Sequence, residues 1–276
     1  MNLERNIIIS LDDLTYAIPT TDGGKTILQD IDLQLYEYEW LAIIGSNGSG
    51  KSTLAKVISR LYQTPDGAVT FTSAVKPSVG LVMQNPDTQM IGETVYEDVC
   101  IGLTNKGIDS EHMEKRAVEA LRKVGLDTLR DFPAVRLSGG QKQLLAIAGC
   151  IAANPSVIVF DEATSMLDPM SRSRIVQIAQ ELHRAGTTIV WITQILDELS
   201  CCERVVALEQ GKLAFEGSKH DFFYRKDGLP SACEQLGFLP PYTVQVAHHL
   251  LKRGCKLDPL PISPADLGKA AGTLLC

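Results

Sequence analysis

One glycine-rich segment has the residue types and the spacing to bind phosphate groups. It consists of Gly45-Ser46-Asn47-Gly48-Ser49-Gly50-Lys51-Ser52-Thr53. The glycines allow the backbone to pass close to an anion and to point N–H groups at it, and Lys51 provides a cation for the β- and γ-phosphates of a nucleotide. The hydroxyl of Ser52 is a candidate ligand for magnesium. The alternative is an ordinary glycine turn, but a predicted strand at 41–44 and a predicted helix at 52–61 favour phosphate binding.

Two neighbouring carboxylates follow the apolar run of residues 157–160. Asp161 and Glu162 would therefore lie at the carboxyl end of a buried strand, where α/β sheets place their ligand chemistry. We expect Asp161 to hold magnesium and Glu162 to polarise an attacking water molecule as the general base. Taken alone, the two side chains could equally cap the next segment. Their position downstream of a phosphate-binding loop favours the catalytic interpretation.

A third motif lies between the first two and consists of Leu137-Ser138-Gly139-Gly140-Gln141. With all three in this order, the chain resembles the ATP-binding cassette (ABC) family of transport ATPases over nearly all of its length. The resemblance implies ATP and Mg²⁺ as cofactors and a dimer that shares its nucleotide sites. Ser138 and the amides of Gly139 and Gly140 would bind the γ-phosphate held by the other subunit, at the start of a helix running from Gln141.

The resemblance also implies roles for other residues. Gln84, after a predicted strand at 79–83, matches the glutamine of the family's Q-loop, which contacts magnesium and senses the transporter partner; an ordinary polar loop residue is the alternative. Tyr16 occupies the place of the aromatic ring that stacks on adenine, with core packing as the alternative. The segment Ser165-Met166-Leu167-Asp168 matches the D-loop, which passes between the two nucleotide sites.

At one position the chain departs from the family pattern. The strand predicted at 189–193 should be followed by a histidine, but Gln194 stands there. Glutamine can donate a neutral hydrogen bond to a γ-phosphate, but it cannot carry charge or relay a proton as histidine can. We therefore expect slow hydrolysis at the site built on this chain's own phosphate loop. A non-identical partner with a histidine could form the faster site and use residues 137–141 of this chain.

The order of predicted strands and helices indicates an α/β fold class. A RecA-like P-loop core is expected to carry an N-terminal antiparallel β layer, a helical signature subdomain and a short C-terminal helical appendage. Apolar strands that alternate with helices predict a parallel sheet covered on both faces. The antiparallel layer would pair residues 7–11 with 31–35 through a turn at 22–24.

The predicted domains follow from the same pattern. Residues 1–220 form the ABC ATPase domain, and residues 221–276 form the appendage, which would add dimer contacts. Within the ATPase domain, the helical subdomain covers about residues 88–153 and includes a predicted helix at 110–124, which Gly125 ends.

The bulk composition excludes some classes of function. The chain has 276 residues, 45% of them hydrophobic, and a formal net charge of −7, which argues against broad nucleic-acid binding. The longest strongly apolar run, residues 144–153, is too short to cross a bilayer, and residues 1–13 lack the pattern of a secretion signal. The seven cysteines are scattered without metal-ligand spacing and indicate a reduced, cytosolic protein.

Two segments resemble one branch of the family, the ATPases of energy-coupling factor (ECF) transporters. The first is Gln84-Asn85-Pro86-Asp87-Thr88-Gln89 with Glu93-Thr94-Val95-Tyr96-Glu97-Asp98-Val99. The second lies in the tail and consists of Pro241-Tyr242-Thr243-Val244-Gln245-Val246-Ala247, then Gly254 and Leu260-Pro261-Ile262-Ser263. The first implies a groove near residues 84–99 for a transmembrane scaffold subunit, through which a substrate-binding membrane subunit is reached indirectly. The branch implies uptake of a vitamin or of nickel or cobalt ions, a second ABC ATPase as partner, and a peripheral location on the cytoplasmic face of the membrane.

Other functions remain open from sequence alone. One is the ATPase of an ordinary binding-protein-dependent importer, which would lack this groove and this tail. Another is a slow or non-hydrolytic cassette that serves as a nucleotide-dependent dimerisation partner, favoured by Gln194 and disfavoured by Glu162. A cassette acting on DNA or ribosomes is disfavoured because the chain has no basic tract and no long coiled-coil insert.

Overall fold

The computed structural model describes residues 6–19, 24–65, 68–72, 78–105, 107–225 and 229–274. In chain order the described strands are β1 (Ile7–Ile18), β2 (Lys25–Tyr36), β3 (Trp40–Gly45), β4 (Val69–Phe71), β5 (Val79–Val82), β6 (Val157–Asp161), β7 (Thr188–Ile192), β8 (Arg204–Glu209) and β9 (Lys212–Ser218). The described α-helices are α1 (Lys51–Ile58), α2 (Val95–Asn105), α3 (Ser110–Val124), α4 (Gly139–Ala152), α5 (Pro169–Arg184), α6 (Lys219–Phe223), α7 (Ala232–Gln235), α8 (Tyr242–Lys252) and α9 (Pro264–Leu274). Short 3₁₀ segments include Pro86–Thr88 and Leu196–Cys201.

The central sheet has the strand order β5-β6-β7-β3-β8-β9. Each neighbouring pair among β5, β6, β7, β3 and β8 is parallel, as predicted. Strand β9 pairs with β8 antiparallel. Strand β9 was not predicted, because its residues alternate between exposed and half-buried positions and form no continuous apolar run. The sheet therefore ends in a solvated antiparallel edge strand.

Both faces of the parallel sheet are covered, and β3 shows how. Trp40, Ala42 and Ile44 belong to the core shared with helices α2 to α5, whereas Leu41 and Ile43 belong to the core shared with α1 and the antiparallel layer. Side chains alternate between the faces of a strand, so a strand that is apolar throughout can fill two cores at once. The predicted α/β class and its RecA-like core are confirmed.

The antiparallel layer has the strand order β2-β1-β4. Strands β1 and β2 are each longer than the predicted 7–11 and 31–35, since their polar residues face solvent and hid the strand ends from an apolar pattern. The third strand, β4, was not predicted. The turn predicted at 22–24 falls mostly on residues 22 and 23, which lie outside the described part of the chain.

Helices α2, α3 and α4 occupy the predicted helical region. Helix α3 has the predicted bounds: Asp109 caps its first turn by accepting the His112 N–H at 3.0 Å, and Gly125 ends it with a φ of 80°. Helix α1 ends at Ile58 instead of the predicted residue 61, because Arg60 adopts a left-handed φ of 60°. Helix α4 begins at Gly139, two residues before Gln141.

The C-terminal helices pack against the main core. Phe222 and Phe223 of α6, Val244 and Ala247 of α8, and Ala270 of α9 are all buried in the cluster that also holds α4 and α5. The His248 ring nitrogen contacts the Phe223 carbonyl at 3.1 Å. Among the described residues, none of the helices has the length and apolar character needed to cross a bilayer.

Candidate functional site

Strand β3 delivers the glycine-rich loop directly onto helix α1. Gly45 ends the strand, Gly48 and Gly50 have left-handed φ values of 80° and 104°, and α1 starts at Lys51. A Cβ atom on Gly45 would lie 2.4 Å from the Leu208 carbonyl oxygen, and one on Gly50 would lie 2.7 Å from Leu28 Cδ2. The loop thus needs glycine for both backbone conformation and space, which fits a cradle formed by main-chain N–H groups.

Lys51 lies within this loop with its side chain almost fully buried. Its Nζ donates to the carbonyl oxygens of Gly45 at 2.9 Å and Ser46 at 3.0 Å, and it lies 3.5 Å from Glu162 Oε1. A buried ammonium needs negative partners close by. The carbonyls and the carboxylate serve that role here, and a phosphate group would serve it in a nucleotide complex.

Ser52 and Asp161 form the part of the site that fits a magnesium ion. Ser52 Oγ donates to Asp161 Oδ1 at 3.0 Å, although the two residues are 109 positions apart in the chain. Burial raises the pKa of Asp161 above its ordinary value; the Ser52 hydrogen bond lowers it, and the negative charge of Glu162 raises it further. A hydroxyl and a buried carboxylate are hard oxygen donors of the kind Mg²⁺ selects, and its charge would favour the ionised carboxylate.

Glu162 receives polar contacts from two other segments. Gln194 Nε2 donates to Glu162 Oε1 at 2.7 Å and also to Asn47 Oδ1 at 2.7 Å. Gln84 Nε2 lies 3.4 Å from Glu162 Oε2 and 3.2 Å from Ser165 Oγ. The fold therefore brings seven residues into one group, which we call the Lys51 cluster: Asn47, Lys51, Ser52, Gln84, Asp161, Glu162 and Gln194.

The backbone at Glu162 is unusual. Its φ is +48°, and its N–H donates to the Ile192 carbonyl at 3.0 Å. A non-glycine residue rarely adopts this left-handed conformation, which persists only where the surroundings enforce it. The carboxylate is thus aimed by its backbone as well as by Gln194.

The segment around Ser138 makes a separate set of hydrogen bonds. Ser138 caps α4 in a reciprocal arrangement: its Oγ accepts the Gln141 N–H at 3.3 Å, and Gln141 Oε1 accepts the Ser138 N–H at 2.9 Å. Ser138 and Gly139 are exposed. Within the described chain, none of the hydrogen bonds or ion pairs joins Ser138, Gly139, Gly140 or Gln141 to the Lys51 cluster. Hydrogen bonds and ion pairs therefore do not connect the two groups of predicted ligands in one molecule, although Gly139 and Gln84 line the same cavity.

Tyr16 lies on β1, opposite Leu28 of β2, and Leu28 in turn lies against Gly50. The Tyr16 ring stacks on Tyr62 with a centroid distance of 5.2 Å and an interplanar angle of 3°. This geometry supports a stacking role, and it also supports the alternative of packing between side chains. Adenine stacking on Tyr16 stays a prediction.

The segment after Gln84 is tied to helix α4. Gln143 Nε2 donates to the Met83 carbonyl at 3.0 Å, and Lys142 Nζ lies 2.7 Å from Asp87 Oδ1. Beside these contacts lies a cavity of about 470 Å³, whose lining includes Leu81, Gln89, Ile91, Ile101 and Cys150. It overlaps the region of residues 84–99 for which a partner groove was predicted.

Sequence reasoning missed two polar or aromatic residues beside the site. Tyr62 follows α1 and stacks on Tyr16. Glu198 follows Gln194 by four positions and is only 7% exposed. Neither belongs to a motif, and Glu198 follows Asp197 in a mixed polar and apolar segment that gives no sign of its burial.

Comparison with known proteins gives relatives over nearly the whole chain. Residues 28–165 match the ABC transporter family. The energy-coupling factor transporter ATP-binding protein EcfA1 of Halalkalibacterium halodurans is 41% identical over 258 residues, which cover 90% of this chain and 91% of that protein. EcfA1 of Bacillus subtilis is 36% identical, with 99% of each chain covered.

Solved structures show the same similarity. The structure of CbiO1 from Clostridium perfringens, part of the ABC transporter complex cbiONQ, aligns with a TM-score of 0.71 at 29% identity and covers 90% of this chain and 98% of that one. A dimeric ATP-binding cassette in a post-hydrolysis state, bound to ADP and Pi, aligns with a TM-score of 0.69 at 27% identity and covers 76% of this chain and 98% of that one.

Proposed function

Because the chain belongs to the ABC transporter family, as an ATP-binding and ATP-hydrolysing subunit of the energy-coupling factor type, we propose that it powers uptake of a vitamin or a transition-metal ion through a membrane scaffold subunit. Cargo would be selected by other subunits, since the described site has features only for a nucleotide. The observation that carries the assignment of the site is the convergence of Lys51, Ser52, Asp161 and Glu162 at the carboxyl ends of β3 and β6.

In the proposed site, the N–H groups of residues 45–51 and the Lys51 ammonium bind the phosphates of ATP. Ser52, Asp161 and Gln84 would hold Mg²⁺, which supplies charge neutralisation for the phosphate oxygens when bound. Glu162 accepts a proton from the attacking water molecule. Gln194 orients the Glu162 carboxylate through their 2.7 Å hydrogen bond, and Tyr16 stacks on the adenine ring.

A second cassette would complete the site. Ser138, Gly139, Gly140 and Gln141 lie at the amino end of α4, where backbone N–H groups and the helix dipole attract an anion. In the proposed dimer, this end binds the γ-phosphate that the facing subunit holds on its Lys51. The partner is a second ABC ATPase, either another copy of this chain or, in our preferred arrangement, a related chain.

The transmembrane scaffold would dock at the cavity near residues 84–99, and a substrate-binding membrane subunit would be reached through that scaffold. This cavity adjoins residues 83–89, which we call the Gln84 loop. Gln84 contacts Glu162, and Gln143 of α4 donates a hydrogen bond to the Met83 carbonyl of this loop. A docked partner could therefore influence the site through the loop. The proposal places the chain on the cytoplasmic face of the membrane as a peripheral subunit.

One observation favours a second candidate function, a slow cassette that acts mainly as a dimerisation partner. Gln194 stands where the family has histidine, and both N–H donors of its amide are already used on Asn47 and Glu162. Such an amide supplies no charge to a γ-phosphate. The two candidates differ in turnover rate and share the same nucleotide cradle.

Phosphate release from MgATP by the purified full chain tests the proposal, with K51A as the matched control. The expected result is measurable turnover that K51A abolishes, because the cradle then lacks its cation. Nucleotide binding without turnover would favour the dimerisation partner. Turnover unaffected by K51A would contradict the assignment of the site.

A further inference from the structure

Glu198 is a buried carboxylate beside the site, in the 3₁₀ segment Leu196–Cys201. Its two oxygens accept three hydrogen bonds from other side chains. Oε1 accepts from Thr164 Oγ1 at 2.7 Å, and Oε2 accepts from Thr193 Oγ1 at 2.7 Å and from Trp191 Nε1 at 2.9 Å. A buried charge needs this degree of hydrogen bonding to be tolerated.

The donors to Glu198 come from the two segments that carry the proposed reaction. Thr164 is two residues beyond Glu162, and Thr193 directly precedes Gln194. Thr164, Trp191 and Thr193 are each 2% exposed or less, so bulk water does not compete with the carboxylate as their acceptor. Glu198 therefore connects the segment after β6 with the segment after β7 through buried hydrogen bonds to Thr164 and Thr193.

The position of the Glu162 carboxylate depends on the separation of these two segments. Glu162 Oε1 contacts Gln194 Nε2 at 2.7 Å, and the left-handed backbone of Glu162 is held by a bond to Ile192. A backbone of this kind relaxes when its surroundings no longer enforce it. Loss of the hydrogen bonds to Glu198 would therefore let both Glu162 and Gln194 move.

We infer that Glu198 is a positioning residue for ATP hydrolysis, which holds Glu162 and Gln194 at working distance through Thr164 and Thr193. The inference rests on the proposed function, since it assigns Glu198 a role in that reaction. Within the described part of the chain, none of the hydrogen bonds of Glu198 reaches Lys51 or Ser52, so its role is in the rate of the chemical step and not in the binding of the nucleotide.

The test compares E198A, E198Q and D197N in the full chain, with MgATP as substrate and kcat calculated per nucleotide-binding molecule. E198A should lower kcat by about 10- to 100-fold, because small misplacements of a catalytic group have effects of this size, and should leave KM within about twofold. E198Q should restore most of kcat, since its amide oxygen can accept from Trp191 and Thr193 while its N–H donates to the Thr164 hydroxyl. D197N removes an exposed carboxylate one residue away and should match the wild type.

A merely structural role would reduce the number of nucleotide-binding molecules without changing kcat for those that remain. An E198A kcat within twofold of the wild type would therefore overturn the inference, and so would an E198Q kcat as low as that of E198A. Should E198A fail to fold, T164V decides instead, because it removes the donor to Glu198 Oε1 at nearly constant volume and should lower kcat several-fold. T193V is less suitable, since the Thr193 hydroxyl also accepts the Ile195 N–H at 3.0 Å. Wild-type kcat in T164V would overturn the inference. Turnover that K51A does not remove would contradict the proposed function itself, whereas turnover that K51A removes and E198A leaves intact contradicts only this inference.

Discussion

Glu162 is the residue on which the proposed chemistry depends most. Its carboxylate lies between Lys51, Gln84 and Gln194, and its left-handed backbone fixes the direction of the side chain. A carboxylate aimed in this way at a phosphate cradle is suited to accept a proton from water. The neighbouring Asp161 is more deeply buried and hydrogen-bonded to Ser52, which suits it to a cation instead.

The variant E162Q tests the general base. The amide is nearly the same size but cannot accept a proton, so we expect kcat to fall by about 10²- to 10⁴-fold while ATP binding is retained. Phosphate release and nucleotide affinity measure the two effects. E119Q, at an exposed position on α3, is the matched control. Turnover by E162Q at the wild-type rate would show that another group takes the proton.

Gln194 gives a prediction in the opposite direction. Q194H introduces a ring that can carry charge near the γ-phosphate, so we expect kcat to rise by roughly 10-fold or more. Q194A is the control that removes the contacts with Asn47 and Glu162 without adding a charged group, and it should be slower than the wild type. Equal rates for the wild type and Q194H would mean that the glutamine does not limit hydrolysis.

At the scale of secondary-structure elements, the junction of β3 and α1 sets the shape of the cradle. The glycines in this junction face different constraints. A Cβ atom on Gly45 would overlap the backbone of β8, whereas a Cβ atom on Gly48 would meet nothing within 4 Å and would add only the strain of its φ of +80°. Alanine at Gly45 therefore tests the effect of steric overlap, whereas alanine at Gly48 tests the effect of conformational strain alone.

We expect G45A to destabilise the protein by more than ~4 kcal/mol, the range of the most severe single substitutions. G48A should cost only ~1–2 kcal/mol, the usual penalty for a left-handed residue with a side chain. Urea unfolding followed by circular dichroism measures both. Similar midpoints for G45A and G48A would contradict the close approach of Gly45 to Leu208.

Helix α4 and the Gln84 loop are joined by one buried and one exposed contact. Q143L removes the buried donor to the Met83 carbonyl and should cost ~1–3 kcal/mol, since the carbonyl is left without its partner. K142A removes the pair with Asp87, which is largely exposed, and should cost no more than ~1 kcal/mol. Thermal and urea unfolding compare the two. A larger effect for K142A would reverse this ranking.

The elements that carry local signals were predicted from sequence with the best accuracy. Helix α3 has both an Asp109 cap and a terminal Gly125, and its bounds match the predicted 110–124. Strand β9 and the early end of α1 were not predicted, because an alternating edge strand and a left-handed Arg60 leave no clear mark in an apolar pattern.

The residues of the candidate site likewise divide into those that a sequence motif marks and those that none marks. Motif spacing led to Lys51, Ser52, Asp161 and Glu162, which the fold brings together across 109 positions. Glu198 escaped notice because its partner Thr164 is 34 positions away, and no local pattern reports that contact. The burial of a carboxylate results from tertiary packing, which single-sequence reasoning does not reveal.

At the scale of the whole molecule, the distribution of ligands argues for a dimer. The Lys51 cluster and the Ser138 end of α4 both have the chemistry to bind phosphate, yet within the described chain no hydrogen bond or ion pair joins them. The side chains of Met166 and Met170, beside Asp168, are 74% and 84% exposed. Exposed apolar side chains next to an incomplete site are expected of a surface that a second subunit covers.

The shared nucleotide site is tested most directly by the structure of E162Q with MgATP, determined for the chain alone and together with its partner cassette. We predict that Ser138 Oγ and the N–H groups of Gly139 and Gly140 lie at about 3 Å, a hydrogen-bonding distance, from a γ-phosphate held by the lysine of the facing subunit. ATP bound on Lys51, with no Ser138 from any subunit in contact with a phosphate, would contradict it.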